Sequence, residues 1–202
     1  MAISRSHAMR IGAWALVIGV VVGTPVVVSA ANDSANTTIN ATVNSAISVT
    51  TASPVSIGLT PTAGGVVSSS SDTVTVNTNN AAGYNLTLAD TDANTSLVSG
   101  GNSITAHAGT QATPTALANN TWGYRVVDVG GFGAGAYSVE TNNSSSTSTW
   151  AGVPASGSAV TLKSTASAAT NDATTVYYGV KATASQPNGT YTDTVTYTAT
   201  TN

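Results

Sequence analysis

From Thr37 onwards, apolar side chains recur at every second position. "TTINATVNSAISVT" places Ile39, Ala41 and Val43 on one side, followed by Ile47 and Val49. "PVSIGLT" alternates Val55, Ile57 and Leu59, "DTVTVNTNN" alternates Val74 and Val76, and "GYNLTLAD" alternates Tyr84, Leu86 and Leu88. "TWGYRVVDV" sets Trp122, Tyr124 and Val126 against Arg125 and Val127, and "AVTLKS" is a shorter run. "TTVYYGVKAT" gives Val176, Tyr178 and Val180. The last run, "NGTYTDTVTYTATTN", has Tyr191, Asp193, Val195, Tyr197 and Ala199 on one face and only threonine on the other. Period-two alternation between Gly, Pro, Asn and Ser clusters predicts half-buried strands, and β-branched Val and Thr suit a pleated surface. No segment after the first thirty residues has a capped apolar 3.6-residue period. The pattern therefore predicts an all-β, antiparallel β-sandwich of about 7–9 strands.

The joints are less regular. "TASQPNGTY" reads as a tight link between two neighbouring strands, with Pro187 presetting φ and Asn188-Gly189 tolerating positive φ. The four serines Ser68–Ser71 read as a loop. Two long stretches, Asp90 to Asn120 and Gly130 to Thr149, carry weaker signals. Within them "SITAHAG" suits a short strand with Ile104 inward, and "AYSVET" suits another. Loops of this length in a compact domain often serve function. A single domain is expected over residues 38–202, behind a flexible tail at 31–37.

The first thirty residues differ from the rest. Arg5 and Arg10 precede an apolar run from Ile11 to Gly23, then Pro25 and a small-residue exit. This is the layout of a signal peptide with a helical core, cleaved before Ala31 or before Asn32. A retained anchor is the alternative reading, since Ile11 to Val28 nearly spans a bilayer. Without these residues the chain keeps three basic residues (Arg125, Lys163, Lys181) and eight acidic ones, a net charge of about −5. No basic patch is available to neutralise phosphates, so nucleic-acid binding is not expected. There is no cysteine, hence no disulfide and no thiolate metal site. Only 6% of residues are charged, and Thr, Ser and Asn supply the polar surface. The composition points to a secreted or cell-surface protein, in contact with the membrane only through its signal segment during export.

Candidate chemistry is sparse. Asp90, Asp92 and Asn94 stand at alternate positions of "DTDAN" and offer oxygens to a calcium ion, or else form a solvated Asp/Asn turn. Thr95 and Gly101 occupy the places where a full calcium loop has glycine and glutamate. His107, the only histidine after the leader, reads as an exposed loop residue; a triad with Asp128 or Glu140 lacks any supporting motif. Phe132, in "GGFGAG", and Trp150 are candidates to stack on sugar rings, or to be buried; Trp122 and Tyr124 read as core anchors. Lys181 reads as a solvated lysine blunting an edge strand. No cofactor and no enzymatic reaction are expected. The Asn-x-Ser/Thr sites match chance in so Thr- and Ser-rich a chain.

The order "DTVTVNTNNAAGYNLTLAD … NTWGYRV … TTVYYGVKATASQPNGTYTDTVTYTAT" resembles small secreted β-sandwich surface proteins of ultrasmall host-associated bacteria. The later part is similar to spore coat protein U and to chaperone–usher pilin-like domains. The matching residues are Tyr84, Leu86 and Leu88, then Val176, Tyr178, Gly179 and Val180, then Gly189, Thr190, Tyr191, Asp193, Thr194 and Val195. The WxL cell-wall-binding domain is a weaker match, because Tyr124 stands where its Trp-x-Leu pair needs leucine. The pilin-like resemblance implies an immunoglobulin-like sandwich whose subunits exchange a strand. "TTINATVNSAISV" then serves either as a donated strand or as the first strand of its own domain. The resulting expectation is a surface structural or adhesive protein that self-assembles or joins other surface proteins. The alternative is a carbohydrate or cell-wall glycan binder using Phe132 and Trp150.

Overall fold

A computed structural model describes residues 31–52 and 54–202. The expected signal segment and its helix lie outside these residues. Among the described residues there is no helix. The strands are β1 (Ile47–Thr50), β2 (Val66–Thr78), β3 (Tyr84–Asp90), β4 (Leu97–Ser99), β5 (Asn102–Ala106), β6 (Thr115–Ala116), β7 (Thr121–Arg125), β8 (Thr149–Trp150), β9 (Val160–Ser164), β10 (Ala169–Ala182) and β11 (Val195–Thr201). They form a six-stranded sheet in the order β1-β2-β10-β7-β5-β4, a three-stranded sheet β11-β3-β9, and a small β6-β8 pair. All pairings are antiparallel except the short β5–β7 contact.

The two larger sheets bury their inner faces in one core. Val74 and Val76 of β2, Leu86 and Leu88 of β3, Trp122 and Tyr124 of β7, Leu162 of β9 and Val176 of β10 belong to the same buried cluster. Hydrophobic faces closing on each other from two sheets is the packing of a β-sandwich. β3 shows the alternation most clearly: Tyr84, Leu86, Leu88 and Asp90 are buried, while Asn85, Thr87 and Ala89 are only half-buried.

Three expectations about connectivity are corrected. Ser68–Ser71 is not a loop but the middle of β2, paired to Tyr177–Val180 of β10. The serine hydroxyls there bind main chain: Ser68 Oγ accepts the amide of Asn142 at 2.9 Å and Ser69 Oγ that of Glu140 at 2.8 Å. The "AYSVET" segment is no strand, although Glu140 and Asn143 exchange main-chain bonds with that edge of β2. Finally, β11 does not pair with β10. It pairs with β3, Tyr197 opposite Leu88, and the link carrying Pro187 to Gly189 crosses between sheets. β10 is an interior strand, so Lys181, opposite both Val67 and Thr121, blunts no edge.

The segment before β1 behaves differently from the sandwich. Every residue from Ala31 to Ala46 is exposed and outside any strand, with Ile39 88% and Val43 85% accessible. Only Ile47–Thr50 of the expected first strand enters a ladder, against β2. "PVSIGLT" also lies outside any strand, with Val55, Ile57 and Leu59 half-buried against the core.

The β2–β3 turn clasps the two ends of the sandwich. Asn79 Oδ1 accepts the amide of Ala46 at 2.7 Å, and the Asn202 amide donates to Gly83 O at 3.1 Å. Gly83 makes the turn possible. Its φ is +85°, and a Cβ there would run into the main chain of Thr165.

Candidate functional site

β3 ends by carrying a carboxylate inward. Asp90 continues the buried series of Tyr84, Leu86 and Leu88 and is only 2% exposed. Its amide donates to Pro154 O at 2.7 Å, which fixes the strand end. The chain then turns through a run of side-chain caps. Asp90 Oδ1 accepts the Asp92 amide at 3.1 Å, Asp92 Oδ1 the Asn94 amide at 2.6 Å, and Asn94 Oδ1 the Ser96 amide at 3.3 Å. Asp and Asn favour such turns because the side-chain oxygen mimics a main-chain acceptor.

The second carboxylate comes from the entry to β11. Asp193 is in phase with Val195 and Tyr197, on the face that looks into the sandwich. Val195 lies opposite Asp90, and the Thr91 amide donates to Thr194 O at 3.0 Å. Asp193 is therefore a diagonal neighbour of Asp90 on the inner face. Its Oδ1 accepts the Thr194 amide at 2.7 Å. The remaining oxygen of each residue, Oδ2, is buried and meets no donor. Burial pushes the Asp193 carboxyl up to about 6; the Thr194 amide pulls the other way, while the neighbouring Asp90 and then Asp92 push it further up. Among the described residues no lysine or arginine answers this charge, and the one ion pair joins Lys163 to Asp172.

The three residues singled out by spacing thus have different fates. Asp90 is buried and becomes half of a pair, whereas Asp92 and Asn94 are exposed on the turn. Among the described residues no three His, Asp or Glu side chains converge as a metal cage. Spacing missed Asp193, although a signal was present: it is a charged residue on the apolar face of a strongly alternating strand.

Neither aromatic candidate offers a face to a sugar. Phe132 is 3% exposed and packs edge-on to Tyr124, with ring centroids 5.9 Å apart. Trp150 is fully buried, edge-on to Tyr137 at 5.6 Å and flat over Gly179, where a Cβ would come within 2.5 Å of the indole. Phe132 on its loop and Trp150 on β8 both turn inward and serve as core. Trp122 is the expected core anchor, stacked on Tyr178 at 6.3 Å, and its indole N–H donates to Thr95 O at 2.9 Å.

His107 is also buried rather than exposed. Its Nδ1 accepts the Ala118 amide at 3.4 Å, which leaves the proton on Nε2 for Thr115 Oγ1 at 2.8 Å. Burial lowers its pKa, and no serine or carboxylate is bonded to it. The ring works as a structural bridge. Two shallow surface grooves, of about 310 and 470 Å³, are lined by neither Asp90, Asp193, Phe132 nor Trp150. No family model, no curated protein and no solved structure matches the chain.

Proposed function

We propose that this is an exported, non-enzymatic cell-surface protein whose immunoglobulin-like, pilin-like sandwich assembles into a layer or fibre by strand addition. The observation that carries the reading is the segment Ala31–Ala46. It has the alternating pattern of a strand, yet it joins no sheet and leaves Ile39 and Val43 almost wholly exposed. Large apolar side chains at alternate positions, without a core of their own, suit a strand that completes another sheet. The sandwich also has an edge to receive one. β11 is the terminal strand of its sheet, and its seven residues, VTYTATT, carry no charge. Proteins that avoid edge-to-edge association protect such strands with charge, proline or bulges; β11 has none of these.

Export rests on the basic, apolar and small-residue layout of residues 1–30, and the low charge of the remainder suits a surface exposed to the medium. The glycan-binding alternative has no comparable support, because the rings meant to stack on sugars are core. Light scattering and electron microscopy on the chain starting at Ala31 test the assembly reading. Polymers should grow with concentration and vanish when Ala31–Ser45 is deleted. A protein that stays monomeric at high concentration, with or without the segment, overturns it.

A further inference from the structure

We infer that Asp90 and Asp193 together hold a hard divalent cation, calcium by its chemistry, which ties the end of β3 to the start of β11. The inference is independent of how the protein assembles. It rests on two oxygens. Asp90 Oδ2 and Asp193 Oδ2 are both buried, both acceptors, and both without a donor. Asp90 itself is 98% buried by its 2% exposure, and its charge and hydrogen-bonding reach fall on Asp193. A buried carboxylate is tolerated when something positive or a proton-bearing group meets it. No basic residue among the described ones supplies the positive charge, since Lys163 is spent on Asp172, Arg125 lies over the Tyr137 ring and Lys181 sits beside Gly65.

The chemistry of the missing partner follows. Every available ligand is oxygen, which selects a hard cation over zinc or copper. Each aspartate has already committed Oδ1 to a main-chain amide, so each would bind through Oδ2 alone. Asp92 adds negative potential from the turn without being buried. With two monodentate carboxylates, the other coordination positions fall to main-chain oxygen and water, which calcium accepts more readily than magnesium. So few charged ligands place the affinity in the weak range of extracellular calcium modules, a Kd of roughly 0.1–1 mM.

The test uses the chain from Ala31, stripped with EDTA, near neutral pH. One millimolar calcium should raise its Tm by about 1–6 °C, with less effect from magnesium. Terbium should give sensitised luminescence excited through tryptophan, because the Trp122 indole is bonded to Thr95 O on the same turn. Asp193→Asn should abolish both signals, and Asp128→Asn, an exposed aspartate on another loop, should keep both. Should Asp90→Asn fail to fold, the half-buried Asp193 variant decides alone. Two results overturn the inference. One is no calcium-dependent shift in the parent protein, which would mean the pair shares a proton instead. The other is a calcium shift of equal size in Asp193→Asn, which would place the ion elsewhere.

Discussion

The hydroxyls of Tyr178 and Tyr197 meet at 2.6 Å, one from each of the two large sheets. Burial raises the pKa of both, so both stay protonated and one donates to the other. This is a polar rivet between the two sheets. Removing one hydroxyl leaves the other buried without its partner, whereas removing both leaves nothing unsatisfied. Tyr178→Phe and Tyr197→Phe should each cost about 1–2 kcal/mol, and the double variant clearly less than their sum. Urea unfolding of the four proteins measures the coupling.

Gly179 should tolerate no side chain. Trp150 covers it so closely that an added Cβ would overlap three ring atoms at 2.5–2.8 Å. The indole is enclosed and has nowhere to go. Gly179→Ala should destabilise by about 1–3 kcal/mol through overpacking, and Phe132→Ala by about 3–5 kcal/mol through the cavity it leaves. Thermal and chemical denaturation report both. A Phe132 variant with unchanged stability would contradict the core role of the ring.

Asp193 gives the stability a pH dependence of definite sign. Its folded-state pKa is raised to about 6, above the usual carboxylate value, so the folded state favours the protonated form. The contribution is complete at pH values below the unfolded pKa and is lost as pH rises through 6. In EDTA, the parent should lose up to about 1 kcal/mol between pH 4 and 7 after allowing for solvent screening, and Asp193→Asn should not. His107 acts oppositely nearby: its pKa is lowered, so its contribution is lost as pH falls below 6.5. Comparing parent and variant cancels the histidine. Asp172, also lowered, acts only at more acid pH.

The threonine face of β11 should accept charge at little cost to the fold. Thr198 is exposed beside Thr87 of β3. Thr198→Lys should change stability by no more than about 0.5 kcal/mol. It should nevertheless suppress polymer growth, because a lysine on an edge strand opposes pairing with a second sheet. Sedimentation velocity at matched concentrations distinguishes the two effects.

The readable parts of the fold were those where one face of a strand is apolar and the other polar. β3, β9, β10 and β11 announce themselves in this way, and so does Ile104 of β5. The serine run in β2 escapes such reading because it carries no apolar face, and the hydroxyls of Ser68 and Ser69 are instead satisfied by the main-chain amides of Asn142 and Glu140. Strand partners are a harder matter. Adjacent runs suggest a hairpin of β10 with β11, but the link between them changes sheets and places Tyr197 beside Leu88. The carboxylate pair shows the same limit. Asp90 and Asp193 each stand out in their own segment, as a spaced carboxylate and as a charge on an apolar face, but only the β3–β11 register brings them together. Phe132 and Trp150 mislead for a related reason, since glycine- and serine-rich flanks describe a loop but not what the loop folds onto.

The clasp at the β2–β3 turn has a mechanical consequence. Ala46 and Asn202 are bonded to residues only a few positions apart, Asn79 and Gly83. Tension applied between those two points would peel β1 and β11 away one bond pair at a time. The long β2–β10 ladder would carry almost none of that load. In a fibre joined through these points, the sandwich would hang beside the line of force as a pendant, and the strength of the assembly would lie in the joints between subunits.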